Sequence, residues 1–393
     1  CAWTYSGALY GWAIRSSFRS RQKSDFGIGY RLTNVRGATA IEPATGEILC
    51  LVSSPDFDPH LMIGRQRGKN HLMLQRDKQK PLLNRALMGA YPPGSTFKAA
   101  QALTFLQEGI IQENTPMFPC YHGFIHGSLK VGCHGHASPL PLVPALATSC
   151  NSYFCWGLYR MFGDRKYGSP QNAITVWKDH MVSQGFGYRL GVDLPGEGRG
   201  LIPNAAFYDK PYKGRWNGLT VISIAIGQGE ILATPLQIAN LSATIANRGH
   251  FITPHIVKEI QDNEIDSLYR TPRVPTIDRI HYEEVVKGMR AAVTGGTCRT
   301  AGYIFPDGEI CGKTGTAQNR GHDHSVFMGF APMNNPKIAI AVYVENGGFG
   351  ATYGVPIGAL MMEQYLNGKL SPASEVKAAE FSDRIIMYGN EER

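Results

Sequence analysis

ICGKTGTA over residues 310–317, SVFMGFA over 325–331 and KIAIAVYVE over 337–345 are three short runs rich in Val, Ile, Phe, Tyr and Thr, parted by breaks that carry Gly, Asn and Pro. Runs of this length and composition form β-strands. Two more β-favouring runs stand near the other end of the chain, Ala38 to Pro43 and Glu47 to Ser53, around Ala44-Thr45-Gly46, a hairpin signal with Gly placed for positive φ. The intervening chain reads as helical. After the breaker Pro92-Pro93-Gly94, the residues Phe97, Ala100, Leu103 and Thr104 have helical spacing over Ser95 to Leu106, which puts Ser95 in a first turn. Residues 107–140, rich in Gly, His and Pro, read as irregular, and Pro144 to Phe162 returns to helix. Thr234-Pro235 leads into Leu236, Ile238, Ala239, Leu241, Ala243 and Ile245 and is closed by Gly249, a capped helix expected to be largely buried. Asp278 to Val293 and the stretch bearing Ile357, Leu360, Met361 and Tyr365 are further helices. Two strands early, three late and helices between them predict an α+β fold whose central antiparallel sheet of about five strands is flanked by helices.

Composition agrees. The chain has 393 residues, 43% hydrophobic and 18% charged, with a formal charge of +8; this is a globular composition, with none of the low hydrophobicity of a disordered chain. The 45 Gly and 24 Pro follow no period, which excludes collagen and coiled coil. No run of about 18 apolar residues is present, so no membrane-spanning helix is expected. Much of the basic excess sits at Arg65, Arg67, Lys69, Arg76, Lys78, Lys80 and Arg85 with few aromatics among them, which argues against a nucleic-acid partner. Eight Cys are too few for a disulfide scaffold, although Cys120/Cys133 and Cys298/Cys311 are spaced compatibly with bridges. Residues 1–35 read as a linker or a truncated N-terminal remnant, 36–370 as the folded domain and 371–393 as a C-terminal tail.

Three motifs carry chemistry. In Ser95-Thr96-Phe97-Lys98 the i,i+3 spacing on a helix brings hydroxyl and amine to one face. Serine is a weak nucleophile without an adjacent base, and lysine serves as that base only when burial or a second cation lowers its pKa. A helix start also offers free N–H groups to a developing oxyanion. Ser149-Cys150-Asn151, between two helical stretches, can relay a proton and hold a peptide group. Lys313-Thr314-Gly315-Thr316 puts an amine and two hydroxyls on a strand, suited to a carboxylate, with Gly315 expected to let substrate approach the backbone. Each motif alone is common; the three in this order are specific.

The set resembles the active-site signature of penicillin-recognising serine enzymes. The flanking words Arg36-Gly37-Ala38, Glu42-Pro43-Ala44-Thr45-Gly46-Glu47-Ile48, Tyr91-Pro92-Pro93-Gly94, Gly227-Gln228-Gly229-Glu230 and Phe330-Ala331-Pro332 are similar to those of class B penicillin-binding proteins, and Tyr343 to Gly354 to the elongation-type subfamily, penicillin-binding protein 2. The likeness covers about residues 36 to 370. It implies the penicillin-binding, serine β-lactamase-like transpeptidase fold and a peptidoglycan D,D-transpeptidase. In that reaction Ser95 attacks the D-alanyl-D-alanine bond of a stem peptide with Lys98 as base, Ser149 passes the proton onward, and Asn151 holds the donor amide. Lys313, Thr314 and Thr316 bind the terminal carboxylate, Lys313 also keeps Lys98 neutral by like charge, and the N–H groups of Ser95 and Thr316 form the oxyanion hole. β-Lactams would acylate Ser95. The resemblance further implies the periplasmic face of the bacterial inner membrane, an N-terminal anchor and pedestal that this chain does not carry, and a wall-elongation glycosyltransferase and scaffold proteins as partners.

No cofactor is required by that chemistry. Cys120, His122, His126, Cys133, His134 and His136 nevertheless crowd metal-type ligands into one loop, and members of the subfamily sometimes carry a metal there. A structural zinc on Cys120, Cys133, His134 and His136, a Cys120–Cys133 disulfide and a solvated His-rich loop are the three readings. For Cys298 and Cys311 a bridge and free buried thiols both stand. His322-Asp323-His324 reads as loop. A serine β-lactamase, a D,D-carboxypeptidase and a non-catalytic β-lactam sensor or scaffold are the competing functions; no carboxylate near Asn151 stands ready to activate a deacylating water.

Overall fold

The computed structural model describes residues 36–319 and 321–383; residues 1–35, the expected remnant, lie outside the described residues. In chain order the elements are β1 (Arg36–Ile41), β2 (Ile48–Ser54), α1 (Arg67–Arg76), α2 (Lys98–Gln107), β3 (Gly123–His126), β4 (Leu129–Gly132), α3 (Leu142–Ala147), α4 (Asn151–Gly163), α5 (Pro170–Ser183), α6 (Ala205–Tyr212), α7 (Pro235–Ala246), α8 (Ile280–Thr294), α9 (Arg299–Ile304), β5 (Cys311–Ala317), β6 (His324–Ala331), β7 (Ile338–Val344), α10 (Gly354–Asn367) and α11 (Pro372–Asp383). The five expected strands form one antiparallel sheet in the order β2-β1-β7-β6-β5.

β7, the middle strand, shows how the sequence builds two cores. All seven of its residues are buried. Because successive side chains point to opposite faces, Ile338, Ile340, Val342 and Val344 enter one core with Val355, Ala359 and Met362 of α10, while Ala339, Ala341 and Tyr343 enter the other with α2, α4, α5 and α7. α7 lies across β1, β7 and β6 and is buried along its whole length. Thr234 caps it through a reciprocal pair with Gln237, and Pro235 occupies the first helical position, where its missing N–H costs nothing. Leu236, Ile238, Leu241 and Ile245 each contribute about 1.5–3 kcal/mol of apolar burial.

Three local readings change. Within the stretch expected to be irregular, β3 and β4 form a short antiparallel hairpin. The helix expected from Pro144 to Phe162 is two helices, α3 and α4, broken where Ser149 takes φ +57°. Of the expected C-terminal tail, Pro372–Asp383 is the helix α11, whose Ala378 and Phe381 pack with Leu360 of α10. Among the described residues no helix is long and apolar enough to cross a membrane.

A polar strut under the serine turn links the helical half. Trp177 of α5 is fully buried and donates from Nε1 to Gln101 Oε1 at 2.8 Å, and Gln101 Nε2 donates to Ile224 O at 2.8 Å. A buried indole and amide are tolerated only with such partners, and the pair fixes α2 against α5 and the turn at 222–226.

Candidate active site

Ser95 lies in a 3-10 turn, Gly94–Phe97, that runs directly into α2, so the expected first helical turn is wound tighter than α. The turn is pressed against β5. Gly94 takes φ +56°, and a Cβ on it would meet Thr316 O at 2.9 Å; only glycine combines that backbone with that approach. Gly94 N donates to Gly227 O at 2.9 Å on the far side. Gly315 has a different reason from the one expected: a Cβ there would stand 3.0 Å from Pro93 O and 3.1 Å from Thr96 Cγ2. Its bareness admits the serine turn.

Below the turn, Lys98 is fully buried and its ammonium is shared among Ser149 O at 2.7 Å, Ser149 Oγ at 3.2 Å and Asn151 Oδ1 at 2.5 Å. The first and second motifs therefore meet through this amine. The left-handed backbone of Ser149 is what brings its carbonyl and its hydroxyl to the same nitrogen, the kind of local strain that functional sites hold. Burial lowers the Lys98 pKa to about 8. Asn151 is held in turn, with Nδ2 donating to Gly132 O of β4 at 2.7 Å.

On the opposite wall, Lys313 of β5 is also fully buried, and burial first, then the charge of Lys98, brings its pKa to about 7. The like-charge effect thus falls on Lys313, whereas desolvation is what lowers Lys98. Thr314 Oγ1 donates to Thr297 Oγ1 at 2.8 Å, Gly350 N donates to Thr316 Oγ1 at 3.3 Å, and Gln228 Nε2 reaches Thr316 O at 3.4 Å. Ser95, Ser149, Asn151, Thr314 and Thr316 line one cleft of about 520 Å³, with Lys98 and Lys313 beneath them. All three motifs converge. The sequence reading missed Thr297, Gln228 and Phe349 in the lining, because each comes from a loop whose closeness to the motifs is purely tertiary. Gln228 alone gave a signal, standing in the Gly227-Gln228-Gly229-Glu230 word. Asp323, read as loop, also faces the cleft, and its neighbour His324 begins β6.

Beside the cleft, the ligand atoms of Cys120, Cys133, His136 and Cys150 lie within 4.8 Å of one another. Three of the four expected metal ligands are therefore together. His134 is displaced from the set, its ring edge-on to Phe349 with centroids 6.4 Å apart, and Cys150 of the second motif takes the place. The cause is geometric: β4 ends at Gly132, so Cys133 turns in toward α4 and His134 turns out over the cleft. His136 Nε2 is 3.3 Å from Cys133 Sγ, and its Nδ1 is 2.6 Å from Ala137 O, which leaves Nε2 as the free lone pair when Nδ1 carries the proton. Asn151 N donates to Cys133 Sγ at 3.2 Å and Tyr153 N to Cys150 Sγ at 3.3 Å. The Cys150 thiol, above all, holds Cys133 down to about 4 by hydrogen bonding. All seven described cysteines are free thiols, so neither the Cys120–Cys133 nor the Cys298–Cys311 bridge is formed, and Cys298 and Cys311 are the free buried thiols of the second alternative.

The approach to the serine turn is anchored on β7 and the residue that follows it. Tyr91, just before the serine turn, donates to Glu345 Oε1 at 2.6 Å and stacks on Tyr343 at 4.4 Å between centroids, while Glu345 Oε1 is 3.0 Å from Arg85 Nε. Tyr343 OH donates to Pro92 O at 3.2 Å. Serine turn and sheet floor thus move together.

Comparison with known proteins agrees with this geometry. Residues 36–363 match the family model described as the penicillin binding protein transpeptidase domain. Peptidoglycan D,D-transpeptidase MrdA of Acinetobacter baumannii is 36% identical over 347 residues, 82% of this chain and 49% of that protein; MrdA of Escherichia coli strain K12 is 31% identical over 350 residues, 82% and 53%. The chain spans about half the length of these curated relatives. Among solved structures, Pseudomonas aeruginosa PBP2 in complex with WCK 5153 superposes with a TM-score of 0.74 at 34% identity, covering 87% of this chain and 74% of that one. The complex between PBP2 and MreC from Helicobacter pylori gives 0.72 at 27%, covering 86% and 61%. With three motifs meeting over two buried lysines and a match that runs through nearly all the described residues, this chain belongs to the penicillin-binding protein transpeptidase family and resembles its penicillin-binding protein 2 members.

Proposed function

We propose that residues 36–370 form a serine D,D-transpeptidase that cross-links peptidoglycan stem peptides during wall elongation. The observation that carries this reading is Lys98: a fully buried amine, one helical turn from Ser95, whose pKa burial lowers to about 8 and whose partners are Ser149 and Asn151. In the first half-reaction Ser95 Oγ attacks the carbonyl of the D-alanyl-D-alanine bond as its proton passes to Lys98. The N–H groups of Ser95 and Thr316 receive the oxyanion. Ser149 relays the proton to the departing amine, D-alanine leaves, and an ester to Ser95 remains. In the second, an amine of a neighbouring stem attacks that ester, gives up a proton through the same groups, and frees Ser95 as the new amide forms. Lys313, Thr314 and Thr316 hold the terminal carboxylate of the donor, and Asn151 its amide.

The place of action is the periplasmic face of the inner membrane. Partnership with a wall-elongation glycosyltransferase and a scaffold is supported by similar solved structures, one described as a peptidoglycan synthase complex coordinating polymerization and crosslinking, another as PBP2 with MreC. Cys120, Cys133, His136 and Cys150 form a soft donor set of three thiols and one imidazole, with the imidazole oriented by Ala137 O, and this set fits a structural zinc ion. Zinc bound there would tie β4 and the start of α4 together; no step of the reaction passes through it.

The test is the intact mass of the chain after brief exposure to benzylpenicillin, followed for hours beside Ser95→Ala. A single adduct that persists and is absent from the variant supports the reading. Rapid return to the free mass would replace it with a β-lactamase, and no adduct with a non-catalytic domain.

A further inference from the structure

The basic stretch between β2 and the serine turn takes no part in the site. From Pro59 to Pro81 it carries Arg65, Arg67, Lys69, Arg76, Lys78 and Lys80 against one carboxylate, Asp77, a net +5 of the chain's +8. All six cations are exposed, and no salt bridge among the described residues engages any of them. Among the described residues lining the catalytic cleft, none comes from this stretch.

Helix α1 lies within it and is held from one side. Leu74 is its one buried residue, and Asn70 Nδ2, one turn earlier, donates to Leu61 O of the 3-10 turn Pro59–Met62 at 2.9 Å. Helical spacing groups Lys69, Leu72, Met73 and Arg76 on a face turned away from that contact. Leu72 and Met73 are 50% and 54% exposed, and Ile63, just before the helix, is 61% exposed. A helix at the surface of a globular domain normally turns apolar residues inward and charges outward. α1 instead holds an apolar pair in solvent with a cation on either side. That is the pattern of a helix lying in a membrane interface, where the apolar pair sinks below the headgroups while the long Lys and Arg stems keep their charges at the phosphates.

Other anions fit this face less well. A nucleic acid or another polyphosphate would answer the charges and leave Ile63, Leu72 and Met73 in water. The outer face of a helix is convex, and a bilayer meets it without a matching groove. Placement in the fold agrees: Arg36, where residues 1–35 join the sheet, pairs with Ser54, where the chain leaves β2 for α1, so both segments issue from the same end of the β1–β2 hairpin.

We infer that the outer face of α1, with Ile63 and the flanking cations, docks on an anionic phospholipid surface. The inference rests on the placement at the inner membrane and is independent of the chemistry of the cleft.

The test is flotation of the full chain with vesicles of phosphatidylcholine, with and without phosphatidylglycerol, as salt rises from about 0.05 to about 0.5 M. Binding to the anionic vesicles alone, weakening with salt, is expected. Lys69→Gln with Arg76→Gln lowers the partition coefficient by up to about fivefold per charge and flattens the salt dependence. Leu72→Ser with Met73→Ser lowers it about tenfold at every salt concentration and keeps the salt slope. Both variants retain the unfolding temperature and the labelling of Ser95 by a fluorescent penicillin, since the altered side chains face solvent and line no part of the cleft. Equal binding to both kinds of vesicle, or binding to neither, would overturn the inference. So would binding that survives both pairs of substitutions, which would move the contact elsewhere in the chain, for example to Arg15, Arg19 and Arg21. A loss confined to the charge variant would reduce the surface to a diffuse electrostatic contact and overturn the docking. Absence of penicillin labelling on the unmodified chain would overturn the transpeptidase reading and leave this inference standing.

Discussion

The proposed reaction needs Lys98 neutral, to take the serine proton, and Lys313 charged, to hold a carboxylate. Burial brings Lys98 to about 8 and burial with the Lys98 charge brings Lys313 to about 7, so the working combination holds its protons in the reverse of their most populated order. Because the Lys98 charge helps to lower Lys313, loss of the Lys98 proton strengthens the hold of Lys313 on its own, and the competent share is greatest between the two limbs and falls as the pH moves away on either side. The sign is set by Lys98 on the acid limb, since its neutral form grows as pH rises through its lowered pKa, and by Lys313 on the alkaline limb. The perturbation is Lys313→Arg, which keeps a cation that does not titrate in this range. Its profile loses the alkaline limb and becomes a single rise to a plateau, with the midpoint at or below about 8 because a permanent neighbouring charge favours neutral Lys98. The assay is the rate constant of Ser95 acylation by a fluorescent penicillin between pH 5.5 and 10, with thermal unfolding at each pH to show that the fold persists. A wild-type rate that keeps rising toward pH 10, or an alkaline limb that survives in Lys313→Arg, would refute the assignment.

Gly94→Ala forces a Cβ to 2.9 Å from Thr316 O at a positive φ; a loss of about 1–3 kcal/mol in chemical denaturation is expected, with acylation slowed at least tenfold. Glu345→Gln leaves the buried Arg85 guanidinium without its anion, though Gln79 O and Lys80 O still accept from it, so about 2 kcal/mol of stability is lost; an unchanged denaturation midpoint would contradict the anchoring described. Cys133→Ser removes the thiol that accepts from Asn151 N, and metal analysis of the purified chain should drop from about one zinc per chain to well below one, with a lower unfolding temperature.

Much of this was legible because it is local. Strand composition in 310–345, the Thr234-Pro235 cap and the helical spacing that follows Pro92-Pro93-Gly94 depend on neighbours a few residues apart, and each led to the element observed. The β3–β4 hairpin was not legible, since strands of four residues set among Gly, His and Pro are too short for a period to stand out. Cys150 as the fourth member of the Cys/His cluster was hidden for another reason. It occupies the middle of the second motif, and only the folding of β4 against α4 brings Cys133 to it. The substitution of Cys150 for His134 and the packing reason for Gly315 both depend on which way a side chain or a missing one points, which spacing does not encode.

The strand order β2-β1-β7-β6-β5 has a consequence for the making of the protein. Among the described residues β7 is the sole bridge between the β1–β2 hairpin and the β5–β6 pair, and its partner β1 lies some three hundred residues upstream. A nascent chain still short of Val344 holds two half-sheets with open edges, and the β5 wall that carries Thr316 is not yet tied through β7 to the β1–β2 hairpin. A ribosome must therefore finish nearly the whole domain before the cleft can close, and so long-range a closure folds slowly. The interval between synthesis and closure is when such a chain is most exposed to aggregation and proteolysis, and a stop before β7 leaves the two half-sheets unjoined.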